Sequence, residues 1–498
     1  MIHFRGRSLS KLTQASTRSF SSKTPSIPLI LNNRDVHTDK TFTVIGPLTD
    51  KSLWQFSCAD ETFIEEAIQS CQDAFPAWSR TKASHRRDIL LAAAEIMKAR
   101  KAELGDYMHH EIGASEDFQD FIIGVATEGL IDTAGRIAGA MTGTTPESIH
   151  HGMKAIVQKR PYGVNVGIAP WNAPYHLGLR SVLFALATGN TAILKGSEYT
   201  PKCYWAIADV LREAGLPDGV LNLVFHAPED GPEIISKLVT HEHVKKINFT
   251  GSTRVGSIIA KKAGKYLKPT LMELGGKASA IVLKDADLQA AALNCVRGAF
   301  LNAGQICMST ERILVDKSII DQFQNVLASV MRDTFGKVEN FPVVITAASA
   351  QRNRGLIEDA ISKGAKPFPV LDTPLENQVE TRMTPIVLRG VTPEMDLYQT
   401  ESFGPSVSLF TFDSEEEAVK LANNTDYGLT AAIFSEDLQR AFKLAEDLDS
   451  GAVHINSMTV HDEYSLPHGG VKQSGFGRFN GFQGLDEFLY YKTVTWME

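Results

Sequence analysis

A chain of 498 residues is too long for one hydrophobic core and divides into about two to four domains at typical domain sizes. With 43% hydrophobic and 22% charged residues it has the composition of an ordinary globular protein, and its longest apolar runs, such as 89–94, are too short to span a bilayer. A formal net charge of −8 offers no basic excess to a nucleic acid or an anionic membrane surface. The cysteines (Cys58, Cys71, Cys203, Cys295 and Cys307) are odd in number and form no C-x-x-C pair, which argues for free thiols rather than a disulfide framework or a zinc site. No metal is expected.

Residues 1–24 differ from the rest. They carry Arg5, Arg7, Lys11, Arg18 and Lys23 and are rich in serine, and no acid precedes Asp35. This is the pattern of a mitochondrial transit peptide, with a disordered basic tail as the alternative. Arg18-Ser-Phe20-Ser21 resembles a processing site cut after Phe20. The expected location is the mitochondrial matrix; the alternative is cytoplasmic.

Beyond this segment, helical and strand patterns alternate. Residues 87–103 read as one helix, with Leu90, Ala93, Ala94, Met97 and Leu104 along one stripe. Strand character over 154–166 is broken by Pro161-Tyr-Gly163, and 164–168 reads as a strand. Strands follow at 191–195, 220–225 and 246–250, with helices at 201–214, stopped by Gly215, and at 254–263. Strands alternating with helices of this size predict βαβ units and a parallel sheet. A second alternating series runs from about 273 to 435, and a late strand covers 489–496. The fold class is α/β, with two α/β domains and two orphan strand pieces that need a partner.

The candidate chemical residues are individually ambiguous. Cys307, in Gly304-Gln-Ile-Cys307, follows a helical run and precedes a strand, where core packing is commoner than nucleophilic chemistry. Glu273, in Leu271-Met-Glu-Leu-Gly-Gly276, either points to the surface at a strand end or is a general base among apolar neighbours. Asn172, in Pro170-Trp-Asn172-Ala-Pro174, either caps a helix or aims its amide at an oxyanion. The turn from Phe249 to Gly256 matches neither the G-x-G-x-x-G fingerprint nor a P-loop, yet its free N–H groups and helix start suit a pyrophosphate. Glycine-rich loops at 401–405 and 467–475 read equally well as plain turns.

Taken in order, Asn172, Lys195 with Glu198, Gly251, Glu273, Cys307, Glu401 with Phe403, and Gly469-Gly470 form a set that resembles the aldehyde dehydrogenase superfamily, from about residue 30 to the C-terminus. The resemblance implies a Rossmann-like NAD-binding domain (25–141 and 162–272), a catalytic domain (273–479) and a small β oligomerisation element (142–161 and 480–498), assembled as a homodimer or homotetramer. It implies Cys307 as nucleophile, Glu273 as base and Asn172, with the Cys307 backbone N–H, as oxyanion donor. The implied cofactor set is Ala169, Pro170, Trp171, Lys195, Ser197, Glu198, Gly251, Ser252, Glu401 and Phe403. Glu198 beside the ribose favours NAD, with NADP the alternative. The retained Glu273 argues against acyl transfer to CoA, and the complete set of Cys307, Glu273 and Asn172 argues against a purely structural role.

For the substrate, the small Ala173 and an Arg at 180 resemble the salicylaldehyde, benzaldehyde and vanillin dehydrogenase branch. The expected pocket comprises Ala173, His176, Leu177, Arg180, Ile306 and Met308, and the expected substrate is an aromatic aldehyde, with an aliphatic aldehyde or semialdehyde as the alternative. Arg180 either meets a substrate hydroxyl or carboxylate or makes a structural ion pair. His468 stands where the family loop usually has Phe, read here as a local packing change without catalytic consequence.

Overall fold

The computed structural model describes residues 26–368 and 378–498. The segment read as a transit peptide or tail, 1–24, lies outside the described residues.

The first large sheet has eight strands. Its order is Gly475–Phe476, Thr270–Glu273, Val244–Thr250, Val164–Ile168, Thr191–Lys195, Leu221–Val224, Leu29–Leu31 and Arg34–Val36. The five strands from Thr270–Glu273 to Leu221–Val224 are parallel, and the flanking ones are antiparallel. Strands Val164–Ile168 and Thr191–Lys195 are buried at every position, the mark of a parallel sheet covered on both faces. Chain order reverses at Val164–Ile168: the next two strands in sequence lie to one side of it, the following two to the other. Such a switch point opens a crevice at the carboxyl ends of the strands. Ala169 to Asn172 and Gly251-Ser252 emerge there.

The helix Pro174–Ala187 leaves this crevice and is buried along its whole length. Its sequence is apolar nearly all round, which requires protein on every side. The few polar side chains it carries, His176, Arg180 and Ser181, are therefore buried as well.

A second, seven-stranded sheet runs in the order Lys366–Pro367, Ile386–Arg389, Ser406–Phe412, Thr310–Asp316, Ala278–Val282, Thr430–Phe434 and Ala452–Ile455. All but its first edge strand are parallel, and apolar clusters pack on both faces. The catalytic series thus extends to 455, beyond the expected 435. The orphan pieces pair with each other: Met153–Pro161 and Leu489–Met497 form an antiparallel ribbon in register from Leu489 opposite Pro161 to Met497 opposite Met153.

Several expectations need correction. Residues 87–103 are not one helix: Ala83–Ala99 and Lys101–Ile112 meet at Arg100, which leaves helical geometry and pairs with Glu103 and Asp209. The expected catalytic domain, 273–479, is not a sheet unit of its own to its end, because Gly475–Phe476 pairs with Thr270–Glu273 in the first sheet. Residues Gly481–Asp486 form a helix that packs on Glu116–Ala140 rather than extending the ribbon.

One buried side chain fastens the C-terminal segment to the first sheet. Asn190 accepts from Gly163 N–H (2.9 Å) and donates to the Phe488 carbonyl (3.0 Å) and the Thr188 hydroxyl (2.8 Å). Asn190→Ala orphans a buried donor and a buried acceptor, each costing about 1–3 kcal/mol. The expected result is a clearly lower urea midpoint with an unchanged far-ultraviolet spectrum; an unchanged midpoint contradicts the assignment.

Candidate active site

The loop that bears Cys307 is strained and tightly held. After the helix Leu288–Phe300, the backbone passes through Asn302 (φ 48°), Ala303 (φ 61°) and Gly304 (φ 72°), three successive left-handed residues. For Asn302 and Ala303 this costs on the order of 1–3 kcal/mol each. Hydrogen bonds over-determine the turn. Gln305 Nε2 donates to the Asn302 carbonyl (3.0 Å) and Gln305 Oε1 accepts from Ile345 N–H (2.8 Å). Asn172 Nδ2 donates to the Gln305 carbonyl (2.9 Å), and Asn302 Nδ2 donates to the Asn172 carbonyl (3.1 Å). Asn172 is thus not the helix cap: Ala173 occupies that position, and the amide faces the cysteine loop. An amide has two N–H donors, so one remains for an oxygen developing beside Cys307.

Two glycines allow the approach of the flanking segments. A Cβ at Gly276 would collide with the Cys307 carbonyl oxygen, and one at Gly304 with the Gly404 carbonyl. The Cys307 thiol is held well above its ordinary pKa by burial, and the Glu273 carboxylate adds to this while Arg180 opposes it. Cys58, Cys71, Cys203 and Cys295 are buried in the cores, as expected of packing residues.

Two cavities meet at this cysteine; Asn172, Leu177 and Cys307 line both. The first is a cleft of about 490 Å³ bordered by Pro170, Trp171, Gly251, Ser252, Glu401 and Phe403. The Trp171 ring stands edge-on to Phe403 (5.8 Å, 87°), and Phe403 itself has φ 47°. Glu401 accepts from Gly276 N–H (2.8 Å), and burial raises its carboxyl to about 7. Ser252 caps the helix Thr253–Lys265, accepting from Val255 N–H at 3.4 Å, so the positive helix end faces the cleft. Lys195 Nζ lies 3.4 Å from Glu198 Oε2, and Glu198 borders an adjoining pocket that shares Tyr199 and Ile345 with the cleft. Burial raises the Glu198 carboxyl, but Lys195 outweighs this and holds it below its ordinary range. Ala169 and Ser197 are buried behind the wall and do not border the cleft.

The second cavity is apolar at its mouth and polar at its floor. All six expected pocket residues line it: Ala173, His176, Leu177, Arg180, Ile306 and Met308. Phe118, Phe121, Ile122, Val125 and Val460 complete the walls, and Asp462 and His468 join the floor. It is narrow: about 30 Å³ is open to a water-sized molecule.

Glu273 borders neither cavity. It ends its strand with 0% exposure, so the surface-pointing alternative is excluded. Its Oε2 accepts from Arg180 Nη2 (3.1 Å) and its Oε1 pairs with His468 Nε2 (2.9 Å). Arg180 Nη1 donates to Asp462 Oδ2 (2.6 Å), which also meets His176 Nε2 (2.8 Å); Asn480 Nδ2 donates to Asp462 Oδ1 (2.7 Å). Burial raises the Glu273 carboxyl, but His468 and Arg180 outweigh it and hold it below its ordinary range. Burial lowers His468, but Asp462 and Glu273 outweigh it and raise its pKa. For His176, burial dominates and lowers it.

The sequence model of the aldehyde dehydrogenase family matches residues 34–494. The chain belongs to this family. It is 39% identical over 476 residues to a vanillin dehydrogenase of a Pseudomonas species, covering 94% of this chain and 97% of the relative. It is 37% identical over 478 residues to a salicylaldehyde dehydrogenase of Pseudomonas putida, with the same coverage of both chains. Among solved structures it resembles the salicylaldehyde dehydrogenase of Pseudomonas putida G7 complexed with salicylaldehyde, with TM-score 0.90 and 35% identity over 95% of this chain and 98% of that one. As an aldehyde dehydrogenase, the protein oxidises an aldehyde to the acid with NAD(P).

In this aldehyde dehydrogenase, sequence reasoning missed two residues of the floor. His468 is not a local packing change: it bonds the carboxylate of Glu273. Asp462 carried no signal beyond being an acid between His461 and Glu463. Arg180 takes the ion-pair alternative, with two of its donors engaged by Glu273 and Asp462.

The Gly276–Cys307 approach gives a direct test. Gly276→Ala must push the cysteine loop back, and misplacement by about 1 Å costs on the order of 100-fold in rate. The expected outcome is that loss with a near-normal melting temperature. Full activity in the folded variant contradicts the placement.

Proposed function

We propose that this enzyme oxidises aromatic aldehydes, with NAD, through an acyl intermediate on Cys307. The observation that carries the reading is the position of Cys307 and Asn172 at the junction of a polar cleft and an apolar cavity. The cleft fits a dinucleotide: it has a capped helix start at Ser252 and an aromatic pair at Trp171 and Phe403, and the adjoining pocket is bordered by Glu198, which pairs with Lys195. Trp171, Glu401 and Phe403 would hold the nicotinamide end, Pro170, Gly251 and Ser252 the pyrophosphate, and Lys195 with Glu198 the adenosine ribose. Ala169 and Ser197 back this wall. An ionised Glu198 repels a 2′-phosphate, which supports NAD over NADP. When bound, the nicotinamide supplies the acceptor for the hydride that leaves the aldehyde carbon.

The chain's own residues do the rest. The Cys307 thiol loses its proton to solvent, and the sulfur bonds the aldehyde carbon as the carbonyl π pair moves to oxygen. The carbonyl oxygen becomes an oxyanion within reach of the free N–H of Asn172, and such a donor is worth about 3 kcal/mol of barrier. After hydride departure a thioester remains on Cys307. Glu273 takes a proton from water, the water oxygen bonds the acyl carbon, and the carbon–sulfur bond breaks to release the acid.

Three observations support a ring as the acyl group. The cavity walls are apolar and aromatic, Ala173 leaves space beside Asn172, and the vanillin and salicylaldehyde dehydrogenases are similar along nearly the whole chain. The ribbon of 153–161 and 489–497 presents exposed Tyr490, Tyr491, Val494, Trp496 and Met497, which supports a homodimer or homotetramer. A matrix location rests on the composition of residues 1–24 alone.

The test is NADH formation on matched aldehydes without CoA, with Cys307→Ala as the blank. Benzaldehyde, salicylaldehyde and vanillin are expected to exceed hexanal and succinic semialdehyde in kcat/KM by about tenfold or more, as differences in pocket contact of ~1–3 kcal/mol allow. A preference for hexanal or the semialdehyde contradicts the aromatic assignment, and a requirement for CoA contradicts the role of Glu273.

A further inference from the structure

The base of the proposed hydrolysis is in the wrong place to act. Glu273 is fully buried and borders neither of the cavities that reach Cys307. To meet a water beside the thioester it must leave Arg180 and His468. We infer that Arg180 and His468 form a latch that parks Glu273, and that loss of a proton from His468 releases it to the acyl-enzyme. His468 is thus a positioning residue, and this inference rests on the reading of Cys307 and Glu273 given above.

The argument is one of buried charge. Four groups share the floor: Glu273 and Asp462 as anions, Arg180 as a cation, and His468 as a cation or neutral. With His468 protonated the parked cluster carries two negative and two positive charges and is neutral. If Glu273 then leaves, one uncompensated positive charge stays buried, which is strongly unfavourable. With His468 neutral the parked cluster carries a net charge of −1, and departure of Glu273 leaves Arg180 and Asp462 as a neutral pair at 2.6 Å. Deprotonation therefore both weakens the parked state and removes the penalty for leaving it. Arg180 alone cannot serve as the titrating half, since a guanidinium stays protonated.

The surroundings fit this role. His468 faces Glu273 at the end of strand Thr270–Glu273, Asp462 on the preceding segment at 3.8 Å, and Arg180 and His176 on the helix Pro174–Ala187. His454, on strand Ala452–Ile455, and Tyr464, beside Arg180 and Asp462, are further titratable neighbours, and the His454 ring lies tilted at 48° to His461 (4.9 Å). Burial lowers the pKa of His176 and pushes that of His454 down to about 4, opposite in direction to His468. The two carboxylates around His468 raise its pKa above the ordinary histidine value, which moves the switch toward neutral pH. The sign follows: at low pH His468 is charged and Glu273 stays parked; as pH rises through the His468 pKa, Glu273 becomes available.

The experiment is burst kinetics with the full-length enzyme, NAD and benzaldehyde across the acid to neutral range. The rapid burst of NADH reports formation of the thioester, and the slower steady phase reports its hydrolysis. In the wild type the steady phase is expected to fall about tenfold for each pH unit below its midpoint. In His468→Gln and His468→Phe that midpoint is expected to move down by about two pH units, from the histidine to the carboxylate range. One pH unit below the wild-type midpoint, the variants should then retain about ten times more of their own plateau rate than the wild type does. A histidine-like midpoint retained in the folded variants overturns the latch, as does a uniform rate loss with no change in profile. The glutamine variant keeps a neutral donor and similar volume and decides the matter if the phenylalanine variant does not fold. Steady NADH formation with no burst at acid pH, where the parked base should make hydrolysis limiting, also overturns the latch, and absence of any NADH formation from benzaldehyde would instead overturn the proposed function, and the latch with it.

Discussion

Arg180 sits 1% exposed between two carboxylates, on a helix with no face to solvent. An isolated guanidinium cannot be buried in this way; it is tolerated only because Glu273 and Asp462 lie 3.1 and 2.6 Å from it. The requirement works in both directions. The cation fixes where the strand Thr270–Glu273 ends, where the segment bearing Asp462 crosses, and how the loop bearing His468 folds back. Glu273 and Asp462 lie 93 and 282 residues from Arg180 along the chain. Asp462 then recruits His176 and Asn480, so one ion-pair cluster joins the helix leaving the first sheet to the C-terminal part of the chain. Replacing part of such a cluster leaves a buried charge without a partner, which is why the floor acts as a unit.

Cys307, the proposed nucleophile, is placed by different means. Among the described residues no side chain hydrogen-bonds the Cys307 sulfur; the backbone around it is fixed instead. The left-handed turn at Asn302 to Gly304 is strained, and it persists because Gln305 and Asn172 bond it from both sides. Gly404, from the second sheet's own loops, presses against this turn at Gly304, and Gly276, from the connection between the two sheets, presses against the Cys307 carbonyl. Phe403, another non-glycine residue with positive φ, faces the cleft from the next loop. Strain gathered at one junction and offset by a rigid surround is what positions a reactive group to within a fraction of an ångström.

The strands at 164–168 and 191–195 were legible in the sequence because parallel strands buried on both faces read as short apolar runs between turn signals. The helix expected over 87–103 ends at Arg100, which leaves helical geometry and meets Asp209, 109 residues away, a contact that no local sequence pattern marks. Cys307, Asn172 and the pocket residues were legible as an ordered set of motifs rather than one by one. The environment of Glu273 was not legible: His468 lies 195 residues away, and nothing in either segment announces the other. His468 in place of an expected aromatic residue was the available signal. Read together with Arg180, which adds a cation facing the same pocket, it pointed to a polar floor.

The central claim is that Cys307 carries the acyl group and Glu273 removes it. The most direct measurement is peptide mass mapping of Glu273→Gln after mixing with NAD and benzaldehyde and quenching in acid. Without its base the thioester should accumulate, and a benzoyl group is predicted on the peptide containing Cys307, approaching one per chain. An unmodified Cys307, or acylation of Cys58, Cys71, Cys203 or Cys295 in its place, would contradict the account.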